Sequence, residues 1–208
     1  MASAPTLQRQ TRKRATDRRV ELLEEADATI QRQGSADLPL RDVADRLGIS
    51  RALVYAYFPD RYKLIDAVLA RHVDLLEASG LEQASRNGSL TERATSCAAI
   101  YLSHVIEHGR TFELVLREPV LVRQLDGTAA AYRRRILRRL ARLAMNELRM
   151  GANEALSVIE LLTVVPQEAA RRAVEDGLSH ETVAAICERL IRSSIEAQVP
   201  HSGATLSR

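Results

Sequence analysis

The sequence predicts an all-α protein in two parts, a small N-terminal helical unit and a larger helical body. Three observations predict it. Ala, Leu, Arg and Glu dominate nearly every segment, and no β-branched stretch alternates with period two. The 9 Gly and 6 Pro fall mostly where helices should stop. Aromatic residues make up only 3% of the chain, yet Tyr55, Tyr57, Phe58 and Tyr62 crowd into one short segment, leaving Tyr101, Phe112 and Tyr132 elsewhere.

Taken in order, residues 1–15 offer Pro, Ser, Thr and charge but nothing to bury, and are expected as a disordered basic arm. A first helix is expected from Thr16 to Gln33, closed by Gly34. Two short helices follow at about 40–47 and 51–57, then a longer one at about 61–79. The body gives helices near 90–108, 111–117, 128–150, 152–175 and 180–198. Gly88, Gly109, Pro119, Gly127, Gly151 and Gly177 punctuate them, and Pro166 should kink or interrupt the helix that contains it. The small unit is placed at 16–63 and the body at 64–199, with residues 200–208 a disordered tail.

Charge follows the same division. Residues 1–63 hold twelve Lys/Arg against nine Asp/Glu, whereas the rest of the chain holds eighteen of each. Arg9, Arg12, Lys13, Arg14, Arg18 and Arg19 face Asp17 alone in the first twenty residues. Such an arm suits a polyanionic partner, or is simply a solvated tail. No apolar run reaches the eighteen residues or so that a membrane span needs. The N-terminus lacks the apolar centre of a secretory signal, so a cytoplasmic protein with no membrane partner is expected. Cys97 and Cys187 are too few and too far apart for a disulfide framework or a zinc site, and no cofactor or metal is expected.

Residues 39–58 have the pattern of a helix-turn-helix. Val43, Ala44 and Leu47 make one apolar face, and Ala44 is small where two helices would cross closely. Gly48 supplies the sharp turn, Ile49 plugs the corner and Ser50 caps a second helix. In that helix Val54, Phe58 and either Leu53 or Tyr57 turn inward. A second helix presented in this way enters the major groove of DNA. Arg51, just inside it, can reach a phosphate or a guanine edge. Tyr55 and Tyr57 can give hydroxyls to phosphates while their rings pack, Tyr57 the more so. Arg14, Arg18, Arg41 and Lys63 add positive charge around the unit, and Ala52, Leu53 and Ala56 complete the surface offered to DNA.

Gly34 followed by LPLRDVADRLGISRALVYAYFPDRYKLIDAVL closely resembles the N-terminal domain of the TetR (tetracycline-repressor-like) family. The matching positions are Val43-Ala44, Gly48-Ile49-Ser50, Tyr55 to Phe58 and Lys63, and the resemblance covers about residues 16–76. It implies a DNA-binding domain, a C-terminal body that binds a small-molecule effector, and a homodimer joined through the last two helices of each copy. There are departures. Pro39 stands where many relatives have a Ser or Thr cap, and Leu53 and Ala56 stand where many carry polar residues. The last two cannot hydrogen-bond a base edge, so contact with thymine methyls is expected instead. The first helix is also more polar than usual, with Glu25, Asp27 and Thr29, and with Ile30 where relatives often have Phe.

In the body, the helix near 94–108 is apolar nearly all round but carries a polar stripe of Cys97, Tyr101, His104 and His108. That stripe is satisfied within the core, or lines an effector cavity closed by Phe112; a metal at His104 and His108 lacks an evident third ligand. Arg134, Arg135, Arg138, Arg139, Arg142 and Arg149 share one face, solvated or facing an acidic partner, an anionic effector or DNA. Arg133 points to the apolar side, where it snorkels or meets an effector's anionic group. Leu156, Ile159, Leu162 and Val165, then Val183, Ile186, Leu190, Ile191 and Ile195, give the last helices wide apolar surfaces that suit pairing with a second copy.

No phosphate loop, HExxH or nucleophile elbow occurs, so no enzyme is expected. The sequence thus predicts a ligand-responsive transcriptional regulator, a dimeric repressor on a near-palindromic double-stranded DNA operator, with an unknown small-molecule effector. Alternatives are a DNA-binding regulator without effector and a helical protein-interaction module.

Overall fold

After Pro5 no glycine or proline occurs until Gly34, so nothing in the sequence stops the first helix sooner. The computed structural model describes residues 4–199, with side chains from Thr16 onward. Helix α1 spans Ala4–Gln33. The helix therefore begins well before the expected Thr16. Pro5 sits in its first turn, where a missing N–H is tolerated. Residues 1–3 of the expected arm and the tail at 200–208 lie outside the described residues.

The remaining helices are α2 (Leu40–Leu47), α3 (Arg51–Tyr57), α4 (Arg61–Ala78), α5 (Leu81–Ala84), α6 (Leu90–His108), α7 (Thr111–Leu116), α8 (Pro119–Val122), α9 (Thr128–Leu148), α10 (Ala152–Leu162), α11 (Val164–Glu175) and α12 (His180–Glu196). No strand occurs among the described residues. Helices α5 and α8 are single turns. The expected 152–175 helix is two helices, broken at Thr163. Pro166 lacks the N–H that would have bonded the Leu162 carbonyl, and it sits instead in the first turn of α11.

Two compact units result. One holds the chain up to His72 together with Arg110–Ala130; the other holds Val73–Gly109 and the chain from Ala131 on. The sequence boundary at 63–64 thus falls inside α4, whose N-terminal half belongs to the first unit. Arg71 on α4 reaches Glu24 on α1 at 3.4 Å, and the Asp66 carboxylate on α4 accepts from the Asp126 N–H at 3.0 Å. These ties, with the burial of Leu64, Ile65, Val68 and Leu69, fix that half of the helix.

In the first unit Leu22, Ala26 and Ile30 of α1 are fully buried, with Leu38, Val43, Ala44 and Val54. α1 packs against α2 and α7, and α2 against α3. In the second unit α6 packs against α5, α11 and α12, and α11 against α12. Leu102, Ile159 and Ile191 lie in that core. The apolar side of α9 is buried there too, through Tyr132, Ile136, Leu137, Leu140, Ala141 and Ala144. The buried Leu90 N–H, an orphan donor in the first turn of α6, is met by the Glu147 carboxylate of α9 at 3.1 Å.

Candidate nucleic-acid interface

The α2–α3 corner follows from four residues. Gly48 ends α2 with φ of 63°, a left-handed conformation that glycine adopts without penalty. The Ile49 N–H then bonds back to the Ala44 carbonyl at 3.0 Å. Ser50 opens α3, and its hydroxyl accepts from the Leu53 N–H at 3.2 Å. Ala44, fully buried, lets the two helices come close. Pro39 caps α2 without any side-chain hydrogen bond, so no hydroxyl faces outward there.

α3 is sharply two-sided. Val54 and Phe58 are buried and Tyr57 is half-buried, so Tyr57, not Leu53, is the additional inward residue. Arg51, Ala52, Leu53, Tyr55 and Ala56 are exposed, Tyr55 by 53% and Leu53 by 36%. The Arg51 guanidinium and the Tyr55 hydroxyl make no hydrogen bond or ion pair among the described residues, which leaves their polar atoms available to a partner. Arg19 of α1 lies over the Phe58 ring at 4.8 Å, bracing the end of α3.

The other predicted contact residues lie on α1, α2 and α4, and those described have only weak local ties. Lys63 lies in the first turn of α4, which Asp60 caps by accepting the Lys63 N–H at 2.9 Å. Its ammonium is 3.8 Å from Asp66. Among the described residues Arg41 pairs with the adjacent Asp42 alone, at 3.2 Å. Arg18 is half-buried and paired with Glu21 at 2.5 Å. The side chain of Arg14 lies outside the described residues. Exposed pairs of this kind are worth roughly 0–1 kcal/mol and are readily exchanged for phosphate.

The predicted ligand residues fall differently. Cys97 and His104 are buried in the second unit, with Tyr101 and His108 half-buried on the same stripe of α6. The His104 ring centroid lies 6.3 Å from Tyr101 and 5.0 Å from His108, and Cys97 Sγ approaches the Leu81 carbonyl at 3.9 Å. Arg133 is half-buried and has no ion pair among the described residues. Phe112 is buried in the first unit, where α7 packs on α1. Among the described residues no group of three or more His, Cys, Asp or Glu is arranged to hold a metal ion. In the first unit Asp66, Leu69, Leu116, Val122, Leu125 and Ala129 line a pocket of about 10 Å³, the size of one water molecule.

Three further groups carry no motif in the sequence. Asp27 accepts hydrogen bonds from the Thr111 hydroxyl and from Gln31 Nε2 (3.0 Å), with His72 Nε2 at 3.3 Å. His72 and Thr111 are buried. Burial raises the Asp27 carboxyl, but His72, Thr111 and Gln31 lower it more, and it rests below its ordinary value. The signal was His72 standing among Leu64, Ile65, Val68, Leu69 and Leu76 on α4. Secondly, Glu82 collects Arg86 (2.5 Å), Arg135 (2.6 Å) and Arg139 (3.4 Å), which hold its carboxyl down at about 2. Of the arginines expected on the exposed side of α9, Arg135 and Arg139 are therefore engaged, while Arg134, Arg138 and Arg142 remain exposed. Thirdly, the buried Tyr132 hydroxyl has no hydrogen-bond partner among the described residues, and burial pushes it up to about 12.

Residues 22–68 match the family described as bacterial regulatory proteins, tetR family. Over 92 residues the chain is 34% identical to the HTH-type transcriptional activator FasR of Mycolicibacterium smegmatis, a match spanning 44% of this chain and 42% of that protein. Two solved structures share the fold at low identity. A TetR-like transcriptional regulator from Rhodococcus sp. RHA1 has a TM-score of 0.63 at 18% identity, covering 85% of this chain and 94% of that one. The transcriptional regulator FadR from Bacillus subtilis, solved in complex with stearoyl-CoA, has a TM-score of 0.59 at 14% identity, covering 89% and 98%. No helix among the described residues is long and apolar enough to cross a membrane.

Proposed function

We propose that this chain is a TetR-family regulator, as the match of residues 22–68 supports, and that it acts as a dimeric, ligand-responsive repressor that leaves a near-palindromic operator when a small molecule binds. The observation that carries this reading is the α2–Gly48–α3 corner, with Val54 and Phe58 anchored inward and Arg51, Ala52, Leu53, Tyr55 and Ala56 turned out. Arg51 reaches a base edge or phosphate, Tyr55 and Tyr57 give hydroxyls to phosphates, and Arg14, Arg18, Arg41 and Lys63 supply the salt-dependent attraction.

Dimerisation is supported by apolar side chains left uncovered on the last helices: Leu161 (70% exposed) and Val164 on α10 and α11, Val174 on α11, and Leu190 on α12. Two copies related by a two-fold axis present two α3 helices to half-sites roughly 34–36 Å apart. The effector acts in the second unit, with Cys97, Tyr101, His104, His108 and Arg133 as candidate contacts. It biases α4, one uninterrupted helix that contributes to both units, and so changes the spacing of the two α3 helices. That linkage requires unequal effector affinity for the two spacings.

The test has two arms. The full chain selects duplexes from a random DNA pool, and affinity for the selected duplex falls steeply with salt. Small molecules, long-chain acyl-CoA among them because FadR was solved with stearoyl-CoA, are then screened for weakening that complex. DNA binding that no ligand alters refutes the effector; absence of salt-dependent DNA binding refutes the regulator. A second reading, activation instead of repression, is favoured by the name of the M. smegmatis relative. Transcription from a promoter carrying the selected site, with and without the protein, decides between them.

A further inference from the structure

The outward face of α3 is unusually poor in hydrogen-bonding groups. With Val54 pointing into the core and about 100° between successive residues, Ala52 and Ala56 lie near the centre of that face. Arg51 and Tyr55 occupy one flank and Leu53 the other. All five are exposed. The centre thus offers two methyl groups, and one flank offers an isobutyl group. No amide or carboxylate stands on the helix, and its Ser50 cap is engaged with the Leu53 N–H.

The centre of such a face, formed by Ala52 and Ala56, has no side-chain group that hydrogen-bonds adenine or cytosine. The thymine C5-methyl is the one apolar group that bases present in the major groove. Alanines at the centre also keep the helix slim, so its backbone can approach the base edges. Arg51, with its donors unoccupied among the described residues, suits guanine O6 and N7 on the neighbouring step.

We propose that Ala52, Leu53 and Ala56 determine operator specificity by packing against thymine methyl groups, so that each half-site is a thymine-rich element flanked by a guanine under Arg51. This rests on the DNA-binding reading above and names the sequence class that reading leaves open.

The test uses the full chain and the duplex it selects from a random pool. Each thymine of the half-site is replaced in turn by deoxyuridine, which keeps the base pair and removes only the methyl. Affinity is expected to drop about fourfold for each contacted thymine, the transfer value of one buried methyl group. Leu53→Ala, at an exposed position that the fold does not depend on, is expected to abolish the uracil effect at one thymine and leave the others. Arg51→Ala is expected to relax the choice at the guanine alone. A selected duplex in which every uracil replacement binds within experimental error of the parent overturns the proposal while leaving the regulator intact. Selection of no duplex overturns both. Selection of half-sites without thymine overturns this one only.

Discussion

Replacing Asp27 by Asn removes a charge from the centre of the first unit while keeping its shape. The carboxylate has Thr111, Gln31 and His72 as partners from α7, α1 and α4. Hydrogen bonds to a charged group contribute roughly 2 kcal/mol each, and neutral ones about 1 kcal/mol. Three partners downgraded from charged to neutral therefore lose about 3 kcal/mol. The Asp27 side chain is only 19% exposed, so the neutral amide recovers part of the penalty for burying charge, about 1 kcal/mol. The net expectation is a loss of about 2 kcal/mol at pH 7. The sign with pH follows from the depressed carboxyl. The charge stabilises the fold above the unfolded-state value of about 3.9 and stops doing so as pH falls through the lower folded value. In acid both proteins carry a neutral side chain and the difference should shrink toward zero. Urea denaturation followed by far-UV circular dichroism, at one protomer concentration and several pH values, measures it. Equal stabilities at pH 7, or a loss of the same size at neutral and acid pH, would show that the Asp27 charge does not stabilise the fold.

Ser50→Ala removes the hydroxyl that accepts the Leu53 N–H; the unfolding free energy should drop by about 1 kcal/mol, with operator affinity weakened because α3 frays. Arg149 follows α9 with φ of 55°, a conformation that disfavours a side chain, so Arg149→Gly should raise the melting temperature through a gain of about 1 kcal/mol. Leu190→Glu places a charge on an apolar position that is 52% exposed in the single chain. Sedimentation should report monomers with an unchanged far-UV spectrum; a dimer of undiminished stability would move the interface elsewhere.

The helix-turn-helix was legible because its determinants are local. Gly48 and Ser50 each act within a few residues of their own position, and α2 and α3 have the bounds read from sequence. Helices α5 and α8 were not legible, since one turn contains no periodicity. The break at Thr163 was signalled by Pro166, but Pro in a first turn and Pro in a kink look alike in sequence. The Asp27 cluster joins residues 45 and 84 positions apart, and only its polarity on the first helix was visible. The stripe on α6 was recognised from its spacing. That Phe112 is buried where α7 packs on α1 depends on contacts between segments far apart in sequence, which periodicity does not encode.

The two thiols give the second unit a chemical clock. Cys97 and Cys187 are 7% and 2% exposed, and burial pushes each up to about 11. At neutral pH roughly one in ten thousand is the nucleophilic thiolate. Alkylating reagents and peroxide therefore reach them chiefly when α6 or α12 swings out of the core. The chemistry of these cysteines is a readout of how often the body breathes, and anything that binds and stills it lengthens their lifetime.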